Sequence, residues 1–211
     1  MRFVFLIALL FGGTATANDD LVLVRMITSL GPIDIEINVG AAPVTADNFL
    51  RLADNGHLDG GSFYRTVSPD NDNGSPVISV IQGGIGRAPK PFQPIAHETT
   101  EQTGLLHVDG AISMARGPVG TATTEFFICI GDQPALDFGG ERNADGQGFA
   151  VFGRVLAGMD VVKAIHRQPS DSPTESAYVV GQILEEPVAI ESVKRVAWPN
   201  GLSGVTPDTD R

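Results

Sequence analysis

Polar side chains adjoin apolar, strand-like runs at three places in this sequence. These places are Phe63-Tyr64-Arg65, Ile81-Gln82-Gly83-Gly84 and Glu125-Phe126-Phe127. The third raises a question, because Glu125 stands directly before the apolar run 126–130. A carboxylate is costly to bury unless a partner compensates for the lost water. Either Glu125 faces such a partner inside a functional site, or it points to solvent at the start of a strand.

The motifs of the commonest catalytic chemistries are absent from this sequence. It contains no GxSxG, no P-loop, no HExxH and no GxGxxG that follows a strand and opens a helix. The glycine-rich segment 82–86 leads into Pro89 rather than into a helix, which disfavours a phosphate cradle. Cys129 is the only cysteine and lies in an apolar run, as a small buried hydrophobic residue would. The four histidines have no metal-ligand spacing, and we expect neither a metal nor a cofactor.

The hydrophobic pattern predicts a mainly β protein. Period-2 alternation favours a hairpin over 21–37 that turns at Gly31-Pro32. Further strands are predicted at 63–67, 77–81, 111–115, 125–130, 149–155 and near 188–196. Helical spacing predicts helices at 44–55, after Pro43, and at 159–166, whereas 85–106 reads as an irregular loop. Because strands and helices do not alternate, we expect an antiparallel sheet or barrel capped by two helices.

The two ends of the chain differ from the part between them. Arg2, the apolar run Phe3–Phe11 and Ala15-Thr16-Ala17 predict a secretory signal peptide over 1–17, since nine apolar residues are too few to cross a bilayer. A buried first strand or an uncleaved anchor is the alternative. We expect one domain over 18–198, a polar tail over 199–211, and export, most simply to a periplasm. No stable membrane insertion is expected after cleavage.

The charge of the chain argues against one class of partner. The 211 residues carry a net charge of −11 and contain no basic run, and an acidic surface repels phosphate backbones. Nucleic acid is therefore not an expected partner.

Six short motifs in order make the sequence similar to the cyclophilins, the family of cyclosporin-binding peptidyl-prolyl isomerases. The motifs are FYR, VIQGG, ISMAR, EFFICI, ALD and FAVFGRVLAGMDVV, and the resemblance spans roughly residues 21–196. It implies a closed eight-stranded antiparallel β-barrel with two capping helices. It also implies cis–trans rotation about X–Pro bonds in unfolded or flexible polypeptides, by a monomer that needs no cofactor.

The resemblance also implies a role for individual residues. Arg65 matches the catalytic arginine, and Gln82 matches the glutamine that holds the substrate backbone. Phe127 and Leu136 match the floor and wall of the proline pocket. The remaining positions expected to bind substrate are Val80, Ala115, Arg116, Glu125 and Phe149. Read without the family, each of these nine residues could equally be a surface or core position.

The sequence departs from the family pattern in ways that leave a second function open. Ser79, Ala135 and Glu125 stand where phenylalanine, a large aromatic residue and glutamine are usual, and these changes would suit a non-catalytic module that only binds proline peptides. The retained Arg65 and Gln82 favour the enzyme.

Two structural expectations follow from the remaining differences. We expect Glu125 to face Arg65 directly and to orient its guanidinium, which offers five N–H donors. The gap from Arg65 to Gln82 is about twice the family's, and its polar filling at 68–76 predicts an exposed loop that contributes little to stability.

Overall fold

The computed structural model describes residues 20–86 and 92–199, and eight strands within them close into an antiparallel barrel. The strands are β1 (Leu21–Thr28), β2 (Gly31–Asn38), β3 (Ser62–Val67), β4 (Val80–Gly84), β5 (Ala111–Met114), β6 (Phe126–Cys129), β7 (Ala150–Ala157) and β8 (Ile183–Arg195). Around the barrel their order is β1-β2-β7-β5-β6-β4-β3-β8. The predicted fold class is confirmed.

Strand alternation divides the apolar residues between two clusters. Ile33, Ile35 and Ile37 of β2 all point into the barrel and are fully buried, as the period of two requires. In β6, Phe126 and Ile128 belong to this main core, whereas Phe127 and Cys129 belong to a smaller cluster on the outer wall. One strand thus serves two apolar surfaces, which explains why EFFICI is apolar throughout.

The two predicted helices are present and pack against the barrel. Helix α1 is Pro43–Asp54, and a further helix, α3, is Met159–His166. Pro43 occupies the first turn of α1, and the Glu98 carboxylate accepts hydrogen bonds from the free Val44 and Thr45 amides there. A four-residue helix, α2 (Thr100–Thr103), lies inside the segment predicted to be irregular.

Two strand boundaries differ from the prediction. The strand predicted at 77–81 begins at Val80 and continues to Gly84, because Ile78 N–H bonds the Asp72 side chain instead of a neighbouring strand. The last strand was expected to begin near 188 but starts at Ile183, which brings the preceding Gln182 beside β3.

The prediction that 68–76 is an exposed loop is wrong at Asp72. The Asp72 side chain is fully buried and forms an ion pair with Arg142, at 2.7 Å, whose side chain is 3% exposed. Asp72 also accepts hydrogen bonds from the amides of Gly74 and Ile78. Burial opposes ionisation of Asp72, but these hydrogen bonds outweigh it and hold the pKa of Asp72 below its ordinary value. Polar composition was misleading here because the polar side chains bind one another.

Some predictions fall outside the residues that the structure describes. They are the signal peptide at 1–17 and all of the tail at 199–211 except Pro199. Within the described ranges no helix has the length and apolar character that a membrane crossing needs.

The buried ion pair predicts that the insertion contributes strongly to stability. Asp72→Ala leaves the Arg142 guanidinium buried without its carboxylate, and loss of one partner of such a pair costs about 3–5 kcal/mol. We expect chemical denaturation to show a decrease of that size in the free energy of unfolding. Asp70→Ala, on the exposed part of the same loop, is the matched control and should change it by less than about 0.5 kcal/mol. Equally small effects of the two variants would instead support an exposed loop that contributes little to stability.

Candidate active site

Eight of the nine predicted site residues line one groove of about 320 Å³ on the outer wall of the barrel. They are Arg65, Val80, Gln82, Ala115, Arg116, Phe127, Leu136 and Phe149. Glu125 does not line it. The groove contains, among others, four residues that the sequence analysis did not select: Ile78, Arg142, Asn143 and Tyr178.

Strand register explains why residues so distant in sequence meet. Arg65 on β3 pairs with Gln82 on β4, Gln82 pairs with Phe127 on β6, and Phe127 pairs with Ser113 on β5. Directly paired residues point to the same face of a sheet. The four side chains therefore form a row across the outer wall, with the cation at one end and the aromatic ring in the middle.

The Arg65 guanidinium is fixed by two glutamine oxygens. Its Nε and Nη2 donate to Gln182 Oε1 at 3.0 and 2.6 Å, and its Nη1 donates to Gln82 Oε1 at 2.8 Å. The Tyr178 ring lies over the same group, with its centroid 5.4 Å from Cζ. Burial lowers the pKa of Arg65, but an arginine pKa begins so high that the group stays cationic. Two of its five N–H donors remain for a ligand.

The Gln82 amide is shared between Arg65 and Tyr64. Its oxygen accepts from Arg65, and its Nε2 donates to the Tyr64 hydroxyl at 2.9 Å. One N–H of Gln82 is left over. This single donor is what Gln82 can offer to a substrate carbonyl, the role that the resemblance implies.

The apolar part of the groove is built from edge-on aromatic packing. Phe127 and Phe149 meet at 5.3 Å between ring centroids with an interplanar angle of 87°. Leu136 is 1% exposed and Val80 4% exposed beside them. An apolar recess with a cation at its end suits a small apolar ring that carries a polar amide.

Arg116 is occupied by the protein itself. Its guanidinium binds both Asp145 carboxylate oxygens and the Gly148 carbonyl, and its Cζ lies 5.2 Å from the centroid of the Phe149 ring. The Arg116 hydrogen bond is the largest cause that lowers the pKa of Asp145, to about 2. The Arg116 guanidinium is thus engaged by Asp145 and Gly148 and packs on the Phe149 ring.

The prediction that Glu125 faces Arg65 is wrong. Glu125 accepts hydrogen bonds from the Tyr64 hydroxyl at 2.7 Å, from the Gly86 amide at 3.0 Å and from the Thr124 hydroxyl at 3.1 Å. Its carboxylate is partnered by neutral donors and reaches Arg65 only through Tyr64 and Gln82. Glu125 is also absent from the residues that line the groove, and its classification as a substrate-binding residue stays a prediction.

The end of β4 makes room for this carboxylate. Gly84 has φ +154°, and a Cβ there would lie 2.6 Å from the carboxylate carbon of Glu125. Burial, followed by the charge of Glu125, raises the pKa of Tyr64 far above its ordinary value, so its hydroxyl stays protonated and donates. A side chain at Gly84 would therefore be strained by this φ and would displace the Glu125 carboxylate.

A buried histidine packs against the Phe127 ring. His107 stacks on Phe127 at 5.8 Å between centroids, with an interplanar angle of 9°. Its Nδ1 lies 2.7 Å from the Asp137 carboxylate and its Nε2 3.0 Å from Ser113 Oγ. A carboxylate can only accept, so Nδ1 carries the proton and Nε2 accepts from the serine. Burial lowers the pKa of His107, although Asp137 opposes this shift.

The described residues contain no group of three or more His, Cys, Asp or Glu side chains that could hold a metal ion. Burial likewise raises the pKa of the Cys129 thiol far above its ordinary value. The groove offers a ligand its arginine, its amides and its apolar walls.

Comparison with known proteins agrees with this geometry. The family model described as cyclophilin type peptidyl-prolyl cis-trans isomerase matches residues 23–195. The chain belongs to the cyclophilin family. It is 36% identical over 177 residues to the peptidyl-prolyl cis-trans isomerase cyp18 of Streptomyces antibioticus, a match that covers 81% of this chain and 96% of that protein. Peptidyl-prolyl cis–trans isomerase is accordingly its enzyme class.

Relatives from other organisms show how broad the match is. The peptidyl-prolyl cis-trans isomerase ppi1 of Schizosaccharomyces pombe is 32% identical, with 74% of this chain and 95% of that protein covered. A crystal structure of a Cryptosporidium parvum cyclophilin in the presence of the dipeptide Ala-Pro has a TM-score of 0.63 and 20% identity, covering 83% of this chain and 99% of that one. Bacterial and eukaryotic relatives both match. The matches therefore establish the family but do not assign the chain to an exported bacterial subgroup.

The position of Glu125 predicts which residue it couples to in this cyclophilin. Glu125→Ala and Tyr64→Phe each leave the other side chain without its partner, so their effects on the free energy of unfolding should be non-additive by about 1–2 kcal/mol. The cycle of Glu125→Ala with Arg65→Lys should be additive within about 0.5 kcal/mol. A larger coupling to Arg65 than to Tyr64 would restore the direct pair.

The buried neutral His107 predicts a pH dependence of stability. Folding lowers the pKa of His107. Below about pH 6.5 the unfolded chain therefore binds a proton at this histidine more readily than the folded protein does, and the free energy of unfolding decreases as pH falls. Melting temperatures at about pH 7.5 and pH 5.5 measure this decrease. The share of it that is due to His107 should be absent in His107→Gln. His57→Gln, at an exposed histidine, is the control and should retain it; identical pH dependences in all three proteins would contradict the assignment.

Proposed function

We propose that the groove beside Arg65 binds X–Pro segments of flexible polypeptides and accelerates rotation about their imide bond. The observation that carries the proposal is the row of Arg65, Gln82 and Phe127 on neighbouring strands. It sets a fixed cation with two spare N–H donors beside an apolar recess. A proline residue presents the matching features, an apolar ring attached to a polar imide.

The physical task of the site is to stabilise a twisted bond. Amide resonance creates a barrier of about 18–20 kcal/mol to rotation. When the bond twists, resonance is lost and the imide nitrogen gains a lone pair. An Arg65 N–H aimed at that nitrogen binds the twisted form more strongly than either planar form, which is what lowers a barrier. No bond is broken, so no nucleophile is required.

The other residues have supporting roles in this proposal. The ring would pack on Phe127 between Leu136 and Phe149, while Val80 closes the apolar recess. The remaining N–H of Gln82 would hold the substrate backbone, which would run along Ala115. These contacts keep the proline ring still while the preceding residue turns.

The proposed substrate class is supported by one solved relative. The Cryptosporidium parvum cyclophilin was crystallised in the presence of Ala-Pro, a dipeptide with a C-terminal proline. We extend this to proline-containing polypeptides that are unfolded or flexible, because a groove open to solvent admits a chain segment that is not already packed.

We further propose that the protein is exported and acts as a monomer. The first 17 residues support export, with a periplasm as the simplest destination. A closed barrel supports the monomer, since it presents no free strand edge for pairing with a second copy. Detection of the processed chain in a periplasmic extract, together with its mass by light scattering, tests both points.

The role of Arg65 predicts a defect in turnover rather than in binding. Arg65→Ala removes a donor that acts mainly on the twisted state, so kcat/KM for a short X–Pro peptide should fall by about two to three orders of magnitude, or ~3–4 kcal/mol. Peptide affinity should change far less. A protease-free isomerisation assay measures the first quantity and calorimetry the second.

The control is Arg25→Ala, since Arg25 is exposed and pairs with Asp34 on β2. It should retain parental activity. Full activity of Arg65→Ala would contradict the proposed role of this residue.

A further inference from the structure

Three consecutive residues of the insertion contact two loops beside the groove. The Asn71 carbonyl accepts from Gln182 Nε2 at 2.7 Å. Asp72 pairs with Arg142, and Asn73 Nδ2 donates to the Val180 carbonyl at 2.8 Å. The insertion therefore connects the two loops that border the Arg65 end of the groove.

Gln182 is the link between the insertion and the arginine. Its side chain is fully buried, accepts two hydrogen bonds from Arg65 through Oε1, and donates through Nε2 to the Asn71 carbonyl. If the amide were flipped, its NH₂ would face the guanidinium donors and its oxygen would face the Asn71 oxygen. The Asn71 carbonyl thus determines which end of Gln182 meets Arg65.

The Asn71 backbone is itself held in place by its own side chain. Oδ1 accepts from the Ser68 amide at 2.8 Å, and Nδ2 donates to the Gly181 carbonyl at 2.9 Å. Asn71 thereby connects the end of β3, which carries Arg65, to the residue that precedes Gln182. The Thr66 amide of β3 also donates to the Gln182 carbonyl at 2.9 Å, so the barrel and the insertion together position the glutamine.

Arg142 and Tyr178 complete the same arrangement. Arg142 donates to the Pro76 carbonyl at 2.7 Å and to the Tyr178 hydroxyl at 3.0 Å. The Tyr178 ring lies over both guanidinium groups, 5.4 Å from Cζ of Arg65 and 5.9 Å from Cζ of Arg142. Arg65 is consequently enclosed by a glutamine, a tyrosine and a second arginine, all of which contact the insertion or the loop bound to it.

We propose that the insertion at 68–76 positions the catalytic arginine, with Gln182 and the Asn71 carbonyl as the positioning groups. The inference rests on the proposed catalytic role of Arg65. Two neutral oxygens, from Gln182 and Gln82, fix the plane of the guanidinium without neutralising it. Its two unused N–H donors then point into the groove before any substrate arrives, which removes the cost of orienting them.

The first experiment is a kinetic comparison of Gln182→Leu with the parent. Loss of both hydrogen bonds to Arg65 should lower kcat about tenfold or more, because small misplacements of a catalytic group are costly, with KM changed by less than about twofold. Gln168→Leu is the matched control, because the side chain of that glutamine bonds only the Ala164 carbonyl of α3. This variant should retain parental kcat.

A double mutant distinguishes positioning from a general structural role. If Gln182 acts through Arg65, adding Gln182→Leu to Arg65→Ala should cause no further loss of kcat/KM. A further tenfold loss in the double mutant would overturn the inference. The inference would also be overturned if Gln182→Leu alone left kcat unchanged while Arg65→Ala was impaired. Full activity of Arg65→Ala would instead overturn the proposed function.

A second measurement needs no variant and covers the case in which Gln182→Leu does not fold. In the unliganded parent, the Arg65 Nε–H should give a sharp NMR resonance that exchanges slowly with solvent, because it is bonded to a buried oxygen. Arg25 Nε–H, bonded to Asp34 at an exposed site, provides the comparison and should exchange faster. Equally fast exchange at the two arginines would overturn the inference.

Discussion

The structure around the groove depends on one constraint, a buried arginine held by neutral partners. Gln182 and Gln82 supply the oxygens that fix Arg65, and no carboxylate within the described residues forms an ion pair with it. A carboxylate would compete with a substrate for the charge, whereas an amide oxygen orients the group and leaves the charge in place. Glu125 instead accepts a hydrogen bond from the Tyr64 hydroxyl.

The barrel makes this arrangement possible because each strand has two faces. Phe126 faces the core while Phe127 faces the groove, so the residue that anchors the strand and the residue proposed to contact proline are neighbours in sequence. Strand pairing then sets Phe127 beside Gln82 and Gln82 beside Arg65. The spacing of the site is thereby determined by the hydrogen-bonded ladder between the strands.

The sequence predicted the groove residues that lie in the family motifs and missed those that lie outside them. Period-2 patterns and ordered family motifs located Arg65 and Phe127 correctly in the groove. Gln182 was missed because its contact with Arg65 spans 117 positions and leaves no periodic signal. Glu125 was assigned to Arg65 because opposite charges suggest a pair, but β3 contains a bulge between Phe63 and Arg65, and the Tyr64 hydroxyl reaches the carboxylate.

The most direct test of this account is a crystal structure with a bound X–Pro peptide. The account predicts that the proline ring packs on Phe127 and that an Arg65 N–H lies within about 3 Å of the imide nitrogen, a hydrogen-bonding distance. Arg65 should retain its bonds to Gln82 and Gln182. A proline ring seated elsewhere, or an Arg65 that leaves both glutamines to reach the peptide, would contradict it.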